Sequence, residues 1–241
     1  MTEYGLIFNG NEKQVHATPD PDKVIIRFKD VTCAFNNIKR ARFEGKGVID
    51  NKISSLILSH LNACGIPTHF ISRVSDREQL CHRVEAIPIE VVVHNRMAGT
   101  LAAKLGVEDG FKIGNVIVDL CFNNEALGDP LINEDQAVAL SLATYPELEY
   151  MKTTARKVNG IVSSLMHKAG IELVDMKLEF GRDGKGNLEI CDEISPDTCR
   201  LWDEKTSERL DKDRFRRDLS DVVASYRTVL ERLEKVLEEN G

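Results

Sequence analysis

Val174-Asp175-Met176-Lys177-Leu178-Glu179-Phe180 alternates apolar and charged residues without a break. A β-strand sends successive side chains to opposite faces. Asp175, Lys177 and Glu179 are therefore expected on one face, and Val174, Met176, Leu178 and Phe180 on the other. The apolar face would bury against helices while the charged face looks into a cleft. Gly181-Arg182-Asp183-Gly184-Lys185-Gly186-Asn187 then joins this strand to a second apolar run, which predicts a hairpin of 171–180 with 188–194. A hairpin brings Asp192 and Glu193 back towards Glu179. Alternation alone fits a solvated edge strand equally well. Against that stands Asp192-Glu193-Ile194-Ser195-Pro196-Asp197-Thr198-Cys199-Arg200, which collects carboxylates, hydroxyls and a guanidinium in one expected loop. Carboxylates so dense suit Mg²⁺, which takes oxygen ligands together with nucleotide phosphates, and a nearby lysine would neutralise a transferred phosphoryl group.

On the N-terminal side, 4–8 and 24–28 read as strands, with Pro19 and Pro21 breaking the chain between them. Asn51 is placed as the cap of a helix over 52–64, with Ile53, Leu56, Ile57 and Leu61 on its apolar face and Gly65 and Pro67 ending it. Residues 87–93 form a β-rich run, 98–105 a short helix, and Gly106, Gly110 and Gly114 mark turns. Another strand is expected at 116–122, then helices at 133–143 and 147–168. A last long helix is expected at 211–238, where apolar residues from Phe215 to Leu237 recur every three or four positions. Strands followed by mixed strands and helices indicate an α+β protein. The expected division is a small, mostly antiparallel β domain over 1–83 and a larger α+β domain over 84–241, with a ligand cleft between them.

Two further clusters could bind anions. In Val93-His94-Asn95-Arg96-Met97-Ala98-Gly99-Thr100, the guanidinium of Arg96, expected in a loop, and the donors of Gly99 and Thr100 ahead of a helix would suit a phosphate. Phe8-Asn9-Gly10-Asn11-Glu12-Lys13 forms a turn that could cover nucleotide phosphates, and Gly45-Lys46-Gly47 is a smaller basic turn. Lys212–Arg217 interleaves bases with acids, which suits internal ion pairs or contact with one small anion. Other chemistries lack their patterns: there is no P-loop, dinucleotide fingerprint, H-E-x-x-H or nucleophile elbow. The six cysteines fall at 33, 64, 81, 121, 191 and 199 with no C-x-x-C pair, so free thiols in a cytoplasmic protein are expected. A net charge of -7 over 241 residues argues against a nucleic-acid surface. No apolar run reaches the roughly 20 residues of a membrane span, and Met1-Thr2-Glu3-Tyr4 does not begin a secretion signal.

Gly170–Gly181, Asp192–Asp203 and Leu210–Leu219 together resemble the SAICAR synthetase (phosphoribosylaminoimidazole-succinocarboxamide synthase) family. So do Gly65-Ile66-Pro67-Thr68-His69, Ile87–Val93 and Leu127-Gly128-Asp129-Pro130, all in family order. The resemblance implies an ATP-dependent ligase of purine synthesis that joins L-aspartate to carboxyaminoimidazole ribonucleotide. It makes Glu179 and Asp192 the Mg²⁺–ATP ligands, has Gly10 and Lys13 cover the ATP phosphates, and sets Lys177 against the reacting carboxylate. Gly99, Thr100, Arg200 and Arg96 would take the ribonucleotide phosphate, Ser195 and Asp197 would sit beside the imidazole, and Glu90 and Asp175 would lie near the substrate. The chain departs from the family pattern at Asn11, His94 and Asn123, where cations are usual. If His94 substitutes as an imidazolium, substrate affinity should weaken as pH rises past about 6.5. Two alternatives stay open on the residues: a paralogue using ATP on another ribonucleotide, and a non-catalytic nucleotide-binding protein. The long C-terminal apolar stripe leaves room for a subunit contact.

Overall fold

The computed structural model describes residues 5–35 and 38–239. In chain order the first half is β1 (Leu6–Asn9), β2 (Lys13–Ala17), β3 (Lys23–Phe28), β4 (Val31–Ala34), β5 (Lys39–Arg42), α1 (Lys46–Ala63), β6 (Phe70–Arg73) and β7 (Glu78–His82). Next come β8 (Glu85–Met97), α2 (Gly99–Leu105), β9 (Phe111–Phe122), β10 (Leu131–Ile132), α3 (Glu134–Ala139) and α4 (Tyr145–Lys168). The chain closes with β11 (Ile171–Arg182), β12 (Leu188–Cys191), β13 (Cys199–Asp203), α5 (Asp213–Arg216) and α6 (Val222–Glu238). A five-stranded sheet in the order β1-β2-β3-β7-β6 precedes a six-stranded sheet, β10-β9-β8-β11-β12, with β13 also on β11. All pairings between these strands are antiparallel, and the α+β class expected from the element pattern is the one observed.

The alternating segment is no edge strand. β11 lies between β8 on one side and β12 and β13 on the other, and α4 packs against it. Ile171, Leu173, Met176, Leu178 and Phe180 enter one continuous core with Ile89, Val91 and Val93 of β8 and Met151, Val158 and Val162 of α4. Val174 departs from the expected face. The pairing of β11 with β13 shifts register between Leu173 and Asp175, which leaves Val174 as an extra residue. It packs instead in a small separate cluster with Ala98 and Trp202. An extra residue in one strand reverses the parity of everything before it.

Other expectations are corrected. Helix α1 starts at Lys46, after Gly45 at φ 82. Asn51 is therefore no cap: it is buried inside α1 and its amide donates to the carbonyls of Ser75 and Asp76 at 3.0 and 2.9 Å. The early turn of α1 is masked in the sequence because its buried face carries an ion pair, Lys46 to Asp50, in place of apolar residues. Strand β8 continues to Met97, so Arg96 is a strand residue rather than a loop residue. Gly114 lies within β9, and Cys199 and Arg200 open β13. The long terminal helix is broken: Asp218 and Asp221 adopt φ 55 and 62, and Leu219 between them is 43% exposed. Of the strand expected at 4–8, Tyr4 lies outside the described residues. No helix among them is long and apolar enough to cross a membrane.

Candidate active site

Antiparallel register builds the centre of the site. On the face of β11 away from α4, Asp175 lies opposite His94, Lys177 opposite Val92, and Glu179 opposite Glu90 of β8. The Lys177 ammonium sits 2.6 Å from Glu90 and 3.5 Å from Glu179. Burial opposes its charge, but Glu179, Glu90 and Asp192 outweigh burial and hold its pKa above the ordinary range. It is a fixed cation. Glu90, Asp175, Lys177, Asp197 and Arg200 all line one cavity of about 330 Å³.

Beside that cavity lies a second group. Cys191, at the end of β12, pairs with Glu179, and the chain then turns so that Asp192 pairs with Lys13. Lys13 also reaches Glu193 at 2.9 Å. Burial first, and then the charge of Asp192, push the Glu179 carboxyl up to about 7. Asp192 meets the same burial, but Lys13 and Lys177 outweigh it and hold its carboxyl below the usual range. Two half-buried carboxylates at odds, whose lysines are shared with Glu193 and Glu90, form an oxygen donor set that suits a hard divalent cation. Lys177 touches both groups, facing the cavity through Glu90 and the carboxylate pair through Glu179. Gly10 stands in the β1–β2 turn, where its carbonyl accepts from the Lys29 ammonium at 2.6 Å.

At the far end of the cavity, Arg200 donates to Asp175 at 2.7 Å and to Asp213 at 3.0 Å. Gly99 is required there: its φ is 55, and a Cβ would meet the Arg200 guanidinium at 2.3 Å. Thr100 follows in the exposed first turn of α2. Arg96 is not brought into this group. It donates to Glu172 at 2.6 Å and to the Gly110 carbonyl at 3.1 Å, and its guanidinium lies 5.9 Å from the Trp202 ring. The parity change at Val174 explains this, because it puts Glu172 on the side where Arg96 can reach it.

Ser195 and Asp197 are present but heavily engaged. The Ser195 hydroxyl donates to Glu193 at 2.5 Å and accepts from the Asp197 N–H at 3.0 Å. The Asp197 carboxylate accepts from the Tyr226 hydroxyl at 2.6 Å and pairs with buried Lys46. Burial would raise it, but Lys46 and Lys212 hold it well below the usual range. Carboxylate oxygens of Glu12, Glu193 and Asp197 lie within 4.8 Å of one another. Each already has a lysine partner, in Lys212, Lys13 and Lys46 respectively.

Sequence reasoning passed over several residues. Asp129, Lys212 and Arg216 line the cavity, while Glu12 comes down from the β1–β2 turn to Lys212 at 2.6 Å. Only the alternation of Lys212–Arg217 hinted at two of these, and there Arg216 both lines the cavity and pairs with Asp213 at 2.6 Å. His94 lies 3.4 Å from Asp119 and 3.8 Å from Asp175, and its Nδ1 makes no hydrogen bond. Burial would lower it, but the two aspartates carry its pKa up to about 9. The charge change expected near 6.5 therefore moves upward.

Comparison with known proteins decides what this arrangement belongs to. A family model described as SAICAR synthetase matches residues 6–233. The chain belongs to the SAICAR synthetase family. It is 46% identical over 233 residues to a phosphoribosylaminoimidazole-succinocarboxamide synthase of Clostridium acetobutylicum, covering 97% of this chain and 99% of that one. The crystal structure of the same synthase from Ehrlichia chaffeensis superposes with a TM-score of 0.93 at 43% identity, over 95% of this chain and 98% of that one. A SAICAR synthetase in complex with ADP superposes at 0.91 with 40% identity, over 95% of this chain and 97% of that one. The family resemblance carried by the β11 segment and the 192–203 segment is thus the correct one.

Proposed function

We propose that this SAICAR synthetase uses ATP to join L-aspartate to carboxyaminoimidazole ribonucleotide, giving the succinocarboxamide ribonucleotide, ADP and phosphate. The observation that carries this reading is the Lys177 ammonium held between Glu90 at the cavity and Glu179 at the carboxylate pair. A carboxylate is a poor electrophile, so it must be activated. Its oxygen attacks the terminal phosphorus of ATP, the bond to ADP breaks, and an acyl phosphate forms. The amine of aspartate then attacks the acyl carbon, phosphate leaves, and the amine gives up a proton. Lys177 is placed to offset negative charge as the carboxylate and phosphates meet, a pre-set electrostatic contribution that needs no rearrangement during reaction.

Glu179 and Asp192 would hold Mg²⁺, which supplies charge neutralisation of the ATP phosphates when bound. Lys13, with Gly10 in the adjacent turn, covers those phosphates, and Lys13 gives up part of its pairing with Asp192 when they arrive. Arg200 and Gly99, with Thr100 next to them, receive the ribonucleotide phosphate. Glu90 and Asp175 flank the reacting groups and Ser195 and Asp197 shape the wall beside the imidazole, while Arg96, tied to Glu172, stands outside the ligand set. Residues 1–83 serve as the nucleotide-covering part and 84–241 carry most substrate and metal groups, with the cytoplasm as the place of work.

Purified protein with Mg²⁺–ATP, carboxyaminoimidazole ribonucleotide and L-aspartate should form the succinocarboxamide and ADP in equal amounts. ADP without amide would point to another acceptor or amine. Tight nucleotide binding with neither product would mean that the chain has lost turnover.

A further inference from the structure

His69 stands behind the carboxylate pair and belongs to none of the groups assigned above. Its backbone N–H donates to the Ile190 carbonyl at 2.8 Å, and its own carbonyl accepts from the His82 N–H at 2.7 Å. The residue is thereby fastened between β12 and the end of β7. The whole residue is 2% exposed, and its Nε2 lies 3.0 Å from the backbone carbonyl of Asp192. A carbonyl oxygen can only accept, so Nε2 must carry the proton. This hydrogen bond decides which ring nitrogen carries a proton.

The carbonyl it grips is unusual. Asp192 has φ 63, in the left-handed region that non-glycine residues seldom occupy. Such a conformation persists only where neighbours hold it. It occurs at the residue where the chain leaves β12, immediately after Cys191 has paired with Glu179, and it is what turns the Asp192 carboxylate towards Lys13. We propose that His69 is a positioning residue for the nucleotide end of the site, its Nε2–H holding the Asp192 backbone so that the carboxylate meets the Mg²⁺–nucleotide beside Glu179. This rests on the role given to Asp192 under the proposed function.

Glutamine at 69 presents an amide N–H at nearly the same reach, whereas leucine fills the space and offers none. The test is steady-state kinetics of His69→Leu, His69→Gln and Asp192→Asn with Mg²⁺–ATP, ribonucleotide and aspartate varied in turn. His69→Leu should raise KM for Mg²⁺–ATP by about tenfold, the upper scale of one ordinary hydrogen bond. Its KM values for the other two substrates should stay within about twofold of the parent, and His69→Gln should restore the nucleotide KM to the same margin. An unchanged nucleotide KM in His69→Leu, or a glutamine variant as impaired as the leucine one, overturns the proposal. If Asp192→Asn raises the nucleotide KM while His69→Leu does not, only the role of His69 falls. If Asp192→Asn has no effect, the reading of Asp192 falls first. Should the leucine variant fail to fold, His69→Asn, polar but too short to reach, takes its place in the same comparison.

Discussion

At the scale of single residues, the structure separates side chains that line the cavity from ones that only look as though they should. Lys177→Ala should fold, because its ammonium is partly open to the cavity, and should lower kcat by about 10²–10³-fold, as loss of one pre-set charge does. Rapid-quench measurement of acyl phosphate formation checks the step affected. Arg200→Ala and Arg96→Ala should part company. The first removes the guanidinium that lines the cavity and should raise KM for the ribonucleotide by about tenfold or more. The second loses a pair to Glu172 outside the cavity and should cost about 1 kcal/mol of stability at most while leaving that KM near the parent value. His94 supplies a pH dependence. Its folded pKa is raised to about 9, so the imidazolium balances Asp119 and Asp175 throughout the neutral range and is lost as pH passes about 9. Ribonucleotide affinity should therefore hold from pH 6.5 to 8 and weaken above 9, read by titration of ligand at each pH. In His94→Gln that break should vanish.

At the scale of elements, the buried network of α1 has the largest expected effect on stability. Lys46 is 1% exposed between Asp50 and Asp197, so Lys46→Ala leaves two carboxylates buried without their cation. A loss of about 3–5 kcal/mol is expected, seen in chemical denaturation. This network also shows why α1 was drawn too short. Apolar periodicity finds a helix by the face it hides from water, and the first turn of α1 hides charge instead. The reverse holds for β11, where alternation from Asp175 onward disclosed the charged face, the apolar face and a hairpin that returns the chain to Asp192. Strand β13 was missed because Cys199 and Arg200 follow a loop-like run, and the local signal cannot show that β11 has a free edge waiting for them. That same pairing holds the bulge at Val174, a feature of strand register that local alternation cannot reveal. Arg96 was misplaced for the same reason. Lys212 and Arg216 reach the cavity and Glu12 meets Lys212 from the other end of the chain, so no spacing rule could have joined them.

At the scale of the whole molecule, several titrating groups push stability in one direction. Glu179 and Asp211 have folded pKa values raised to about 7, Asp211 chiefly by burial and then by Asp213. A raised carboxyl binds its proton more tightly when folded, so its contribution is lost as pH climbs from about 4.5 through 7. His94 adds stability present below about 6.5 and lost through about 9. Melting temperature should therefore fall between pH 6 and 9, and Glu179→Gln should flatten part of that slope in scanning calorimetry without ligand. One feature of the architecture bears on how substrates get in. The core is continuous from Ile53 and Leu61 of α1 to Met176 and Phe180 of β11, whereas Leu6, Ile7 and Phe8 of β1 are 54%, 48% and 63% exposed. A core shared in this way resists opening as two separate rigid halves. On the proposed role of Gly10 and Lys13 the exposed β1–β2 ribbon is the part that yields to the nucleotide, so amide protons of β1 and β2 should exchange with deuterium long before those of β8 and β11, and ADP should slow the former alone.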